Sequence, residues 1–369
     1  MHICQKAILK HALKLKENYD IERKPRDDSF NLFLVAVLQA NLQYVTGINM
    51  THKERFIKTL QCEDIGGRVP HFELVFFLTM EALGKVHPSH RFYEQWNQMS
   101  YTEQKLHIQE IADIYIDTAK RYDHSAIFVH SNPGGFDNIQ WLLETIREKS
   151  GDEYYLMMHG DPTWAIPDGD TMIDFAVQML EEPEKLNEIS KRRVEEHAAF
   201  ADKLDRKGHL LDGFTLCSDY CFNTNPFFSP EQFEELIIPY LKEIISEYRK
   251  MGYYSIKHTD GNVMPILKQI ADCKPNAIHS LDPQGGVNLA EARKIVGDGI
   301  ALIGNVNCGL LQTGTDDECD AEVQRSLREG MEAGRGYIFS TSNCVYTGMA
   351  LERYERMWKI WQKYGIYSD

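Results

Sequence analysis

SIKHTDGNVMPIL, residues 255–267, is a short β-prone run that ends on a histidine and, two places later, an aspartate, directly before a glycine turn. In a strand, residues i and i+2 point to the same face, so His258 and Asp260 are expected to project together from the strand's end. Such a pair suits a metal site, an acid–base pair or a capped turn. The surrounding chain decides among them.

The pattern recurs on both sides of this stretch. Short β-rich runs fall at 68–76 (RVPHFELVF), 125–131 (SAIFVHS), 154–161 (YYLMMHGD), 213–219 (GFTLCSD), 253–260 (YYSIKHTD), 276–282 (NAIHSLD), 299–307 (GIALIGNVN) and 336–343 (GYIFSTSN), eight in all. Between most of them lie helical patterns with apolar residues at three- and four-residue spacing, as in IQEIADIYIDTAKRY, MIDFAVQMLEE, EQFEELIIPYLKEIISEYRKMG and DAEVQRSLREGMEAG. Repeated strand–helix units imply a parallel sheet with helical crossovers. Eight of them predict an α/β fold of the closed (β/α)8 TIM-barrel type. An open doubly wound sheet is the alternative, and the chain carries neither G-x-G-x-x-G nor G-x-x-x-x-G-K-[ST] to give it a nucleotide site.

The bulk numbers agree with a globular enzyme-sized chain. It has 369 residues, 43% hydrophobic and 26% charged, with a formal net charge of −15. So acidic a surface repels phosphate backbones and disfavours nucleic-acid binding. The eight cysteines (4, 62, 217, 221, 273, 308, 319 and 344) form no dense disulfide pattern and read as reduced thiols or metal ligands. FNLFLVAVLQANL near residue 30 is too short to span a bilayer and lacks a signal-peptide layout, so cytoplasmic residence and no membrane partner are expected. Residues 1–49 differ from the rest: they read as an N-terminal helical extension or as upstream translation that is not native. A domain is expected to span 50–369, opened by Thr51 and Glu54 at capping-box spacing.

In a barrel of this class the C-terminal ends of the strands carry the chemistry. Those ends hold His71 and Glu73, His130, His159 and Asp161, Cys217 and Asp219, His258 and Asp260, His279 and Asp282, Asn305, Asn307 and Cys308, then Asn343 and Cys344. Cys308 and Cys344 follow consecutive runs, which makes them neighbours in a barrel. Two thiolates with an imidazole or carboxylate suit zinc. The alternative is two buried free thiols. Asp219 reads as a substrate contact or general acid, or as a turn cap.

HTDGNVMPIL, HSLDPQGGVNLAEARKIVGDGIALIGNVNCGLL, GYIFSTSNCVYTGMALERYERM, THKERFIKTLQCEDIGGRVP and CSDYCFNTNPFFSPEQFEELIIPYLKEII together resemble the uroporphyrinogen decarboxylase superfamily, in order, from about residue 50 to the end. The resemblance implies a (β/α)8 barrel and one of two chemistries. True decarboxylases hold an acidic tetrapyrrole with an arginine-rich segment of the RQAGR type and an aspartate in a motif like FSDI. Here those places read HFELVFFLTMEALGK and IFVHSNP, without the arginines or the aspartate. The corrinoid-linked methyltransferases of the superfamily carry a zinc motif similar to His-x-Cys after the fifth strand and a cysteine after the eighth. His258 matches the histidine, Asp260 stands where the first cysteine would be, and Cys344 falls at the second. Cys308 would replace the missing thiolate, or Glu73, Asp260 or Asp282 would supply an oxygen. Asp282, Cys308 and Cys344 also fit the Asp-and-two-Cys order of some O-demethylase relatives.

The expectation is therefore a zinc-dependent methyltransferase. It would pass a methyl group from a small methylated substrate, such as an aryl methyl ether, to the cob(I)alamin of a separate corrinoid protein. This chain has no Asp-x-His-x-x-Gly corrinoid motif of its own. The expected metal ligands are His258, Asp282, Cys308, Cys344 and Glu73; the expected catalytic groups are Asp219, His159 and Asp260. Methylcobalamin:thiol methyl transfer, tetrapyrrole decarboxylation and a non-catalytic corrinoid- or metal-binding module are the alternatives.

Overall fold

The structure is a computed structural model and describes residues 50–367. The expectations for residues 1–49, including the extension and FNLFLVAVLQANL, lie outside the described residues. Among the described residues seven parallel strands form one sheet in sequence order: β1 (Ala126–Val129), β2 (Tyr155–His159), β3 (Gly213–Cys217), β4 (Tyr254–Thr259), β5 (Ala277–Ser280), β6 (Ala301–Val306) and β7 (Tyr337–Thr341). Helices alternate with them, giving a TIM-barrel-like α/β architecture.

The first β-rich run, 68–76, departs from expectation. Among the described residues it makes only isolated bridges: Arg68 to Ile366, His71 to Phe339 and Phe76 to Val345. Pro70 has no N–H to give a ladder, which accounts for the interruption. The segment nonetheless touches both edges of the sheet: Phe339 N–H donates to Pro70 O (2.9 Å), and Ser125 N–H, just before β1, donates to His71 O (2.7 Å). The helix expected from EQFEELIIPYLKEIISEYRKMG is two, Pro230–Leu236 and Ile238–Lys250. Pro239 cannot donate to the preceding turn, so the helix breaks there.

Strand alternation sorts the core. Leu156, Met158, Phe214 and Leu216 face outward and pack with helix residues such as Ile111, Leu241 and Ile244. Tyr155, Met157, Ile256, Ala277, Ala301, Ile303 and Ile338 face inward. The helix His52–Leu60 adds Phe56 and Leu60 to this inner cluster, closing the floor under the strands' N-terminal ends. The expected capping box is present, with Thr51 Oγ1 accepting from Glu54 N–H (3.1 Å). Lys53 of that helix pairs with buried Asp212 at the start of β3 (2.7 Å).

At the other end, three loops meet backbone to backbone. Gly261 has φ +79°, and a Cβ on Gly285 would lie 2.3 Å from the Gly261 carbonyl carbon. Gly285→Ala must therefore push the loops after β4 and β5 apart. The expected cost is about 1–3 kcal/mol, read as a lowered urea midpoint.

Candidate metal centre

The inward parity that places Ile256, Ala277 and Ile338 in the core places His258, His279 and Ser340 directly above it, two residues on. His258 and His279 are register partners on β4 and β5. Their Nδ1 atoms stand 2.8 Å apart. His279 Nε2 is 3.2 Å from the carbonyl oxygen of Thr341.

These contacts fix the protons. A carbonyl only accepts, so His279 Nε2 carries hydrogen. Burial first, and His258 beside it, hold the His279 pKa well below the usual range, so the ring is neutral and its Nδ1 is bare. His258 must then donate from Nδ1. Its own pKa is pushed down to about 4, chiefly by burial and against the opposing pull of Asp219, so its Nε2 is a free lone pair at neutral pH.

That lone pair faces two carboxylates. Asp260 Oδ1 lies 3.7 Å and Asp219 Oδ1 3.9 Å from His258 Nε2, beyond hydrogen-bonding reach. Asp260 Oδ1 is buried with no hydrogen-bond partner. Its other oxygen accepts from Asn343, and its backbone N–H donates to Asp219 Oδ1 (3.0 Å). One ligand atom each from Asp219, His258 and Asp260 lies within 4.8 Å of the other two. Three ligand atoms converge with no hydrogen bond among them, and an orphaned buried oxygen is costly without a partner. One imidazole and two carboxylates are a donor set that zinc accepts. The residues present therefore fit a divalent metal.

The remaining candidates fall around this triad. Cys344 follows β7 and is half-buried; burial, then Asp260 and Glu73, push its thiol up to about 12. Cys308 is buried, 3.7 Å from the Cys344 carbonyl oxygen, with its thiol also raised to about 12 by burial and Glu73. Neither sulfur belongs to the triad. Glu73 is held elsewhere: Thr341 N–H (3.1 Å), the Thr341 hydroxyl and Ser340 Oγ (3.2 Å) donate to one oxygen, and His71 Nε2 stands 3.2 Å from the other. Asp282 caps the turn Pro283–Gly285 by accepting from Gln284 N–H (3.0 Å). His159 is exposed in the mouth, its pKa lowered by the protein packed around it.

Sequence reasoning gave no role to the buried pair beneath Asp219. Lys257 Nζ donates to Asp161 Oδ2 (2.8 Å), Leu216 O (3.0 Å) and Ser218 O (2.9 Å), and lies 4.1 Å over the Tyr220 ring. It thereby pins the residues on either side of Asp219. A lysine in the middle of an apolar β-run was the available signal.

A family model, uroporphyrinogen decarboxylase (URO-D), matches residues 172–364, more than half of the chain. The chain belongs to the URO-D family. This URO-D chain shares its fold with a methyltransferase from Methanosarcina mazei, at 16% identity and TM-score 0.65, covering 85% of this chain and 99% of that one. A proposed vitamin-B12-independent methionine synthase from Listeria monocytogenes aligns at 12% identity and TM-score 0.47, covering 80% and 94%. No curated protein matches. The matched part of this URO-D family member contains Asp219, His258, Asp260, Cys308 and Cys344. Among the described residues no helix is long and apolar enough to cross a membrane.

Burial, then Asp219, push the Asp260 carboxyl up to about 7. An acid whose folded pKa is raised loses stability as pH climbs from its unfolded value, near 4, through its folded value. In metal-stripped protein, Asp260→Asn should therefore raise stability at pH 8 by up to about 4 kcal/mol, and change it little near pH 4. Urea midpoints in chelator at the two pH values check this.

Proposed function

We propose that the protein is a zinc-dependent methyltransferase that moves a methyl group from a small methylated substrate to the corrinoid of a separate protein. The observation that carries the reading is the convergence of Asp219, the bare His258 Nε2 and the orphaned Asp260 Oδ1 at the strands' C-terminal ends. URO-D membership supports it, and the fold it shares with a methyltransferase is consistent with it. In this reading the first run completes a (β/α)8 barrel across residues 50–369, and residues 1–49 are a separate extension.

His258 Nε2, Asp260 Oδ1 and Asp219 Oδ1 would hold the metal. We assign the fourth position to Cys344, whose thiol has Asp260 as its leading charged neighbour. Cys308, Asp282 and Glu73 stand behind these as braces. Zinc held there supplies Lewis-acid polarisation of the heteroatom that loses its methyl group. His279 keeps the His258 lone pair turned toward the metal position. Asp219, its side chain 50% exposed, holds the solvent side of the metal position, and His159, exposed at the end of β2, would hand a proton to the departing atom. Exposed apolar side chains on segments that follow β2 and β3, Ile173, Leu180 and Phe222, offer a partner protein a landing surface.

The test is metal content by elemental analysis, joined to transfer of methyl groups from a panel of methylated donors to cob(I)alamin on a corrinoid protein. About one zinc per chain with transfer from at least one donor class supports the reading. Metal-free protein that releases carbon dioxide from a porphyrinogen would replace it with the decarboxylase reading.

A further inference from the structure

The wall of the mouth beside β2 carries hydrogen-bond donors without acceptors. The Arg193 guanidinium lies 3.8 Å over the Trp164 ring. Among the described residues no carboxylate pairs with it: Glu196 lies 3.8 Å from Arg192 instead. Trp164 Nε1 is buried and has no hydrogen-bond partner. His197 follows Arg193 by four residues on the helix Pro183–Asp205, so the two share a face. The His197 ring is 6.5 Å from that of His159, the last residue of β2. Asp161, two residues on, is committed to Lys257. In a chain of net charge −15, this half-buried arginine stacks on a ring and, among the described residues, has no salt bridge or side-chain hydrogen bond, which leaves its fork free for a ligand.

β3 alone separates β2 from β4. Two strand spacings put His159, the β2 residue at the edge of this group, about 10 Å from His258, and the charge of His159 acts on His258; a molecule that touches both the triad and Arg193 extends past His159. We infer that Arg193, with Trp164 Nε1 and His197, receives the carboxylate of the methyl donor, so that the substrates are methylated acids rather than neutral or cationic compounds. The planar fork of a guanidinium matches a carboxylate's two oxygens, and stacking on Trp164 holds that fork in plane. The assignment rests on the reading of the mouth as a methyl-donor site.

The experiment titrates benzoate, and separately inorganic phosphate, into metal-stripped protein, followed by ligand-observed NMR. Wild type is expected to bind benzoate more tightly than phosphate. Arg193→Met should weaken benzoate roughly ten-fold or more, and Arg193→Lys, which keeps the charge but not the fork, by less. Trp164→Phe keeps the stacked ring and removes the N–H; a loss of about three-fold or more is expected. Circular dichroism melts identify any variant that fails to fold, and the Lys and Phe variants then decide. Benzoate bound equally by wild type and the variants, no benzoate binding, or phosphate bound as tightly with the same Arg193 dependence would each overturn the inference. Neither metal nor methyl transfer enters this measurement. A negative result thus leaves the methyltransferase reading standing, and a failed transfer assay leaves this result intact.

Discussion

Asp161→Ala should cost the protein about 3–5 kcal/mol of folding stability, a large share of what a domain possesses. Lys257 and Asp161 are both buried, and removing the carboxylate strands an ammonium that cannot reach water. Burial alone would raise the Asp161 pKa; Lys257, with the Thr163 hydroxyl and N–H, outweighs it and holds it down to about 2. The sign follows. Stability from this depressed carboxyl is present above its unfolded pKa, near 4, and is lost as pH falls from there toward about 2. Urea titrations of wild type and Asp161→Ala at pH 7 measure the first claim. The double variant Asp161→Leu/Lys257→Met, with no stranded charge, should recover most of the loss; if it does not, the cost lies in packing rather than charge. Because Lys257 also holds the carbonyls of Leu216 and Ser218, Asp161→Ala should loosen Asp219 and weaken metal binding too.

The second large effect concerns the metal itself. His258→Ala should leave almost no bound zinc, since it removes the lone nitrogen of the triad. His279→Leu is more discriminating, because His279 touches neither carboxylate of the triad. Without it, nothing forces the His258 proton onto Nδ1, and the tautomer with Nε2 protonated competes with metal. The expected loss is roughly 10–100-fold in zinc affinity, measured by competition with a chromophoric chelator. Unchanged affinity in His279→Leu would show that the chain from Thr341 through His279 to His258 does not set the proton.

Period-two alternation made most of this visible beforehand. It located β1 to β7 and put His258 and Asp260 on one face, because both facts are local to a strand. The run at 68–76 misled because FELVF supplies apolar residues on one side of Pro70, and the missing N–H weighed less than it should have. The sequence reading placed Asp219 among the acids and not beside the metal candidates, since its nearness to His258 depends on how the loop after β3 folds back onto β4. Hydrogen bonds such as Asp260 N–H to Asp219 across that loop leave no mark in the sequence. Glu73 shows partners the sequence could not reveal. A carboxylate at a strand end looks available, yet Thr341 and Ser340 occupy it, and those partners lie more than 260 residues away along the chain. Lys257 and Asp161 escaped for a similar reason: the partner of a lone charge in an apolar run lies on another strand.

The helix at His52–Leu60, with Phe56 and Leu60 driven into the barrel, turns a tube into a cup. A cup has one lip. If the proposed methyl donor and corrinoid protein both use that lip, the order of arrival follows from the architecture: the guest goes in first, the lid comes down second, and the spent guest waits for the lid to lift.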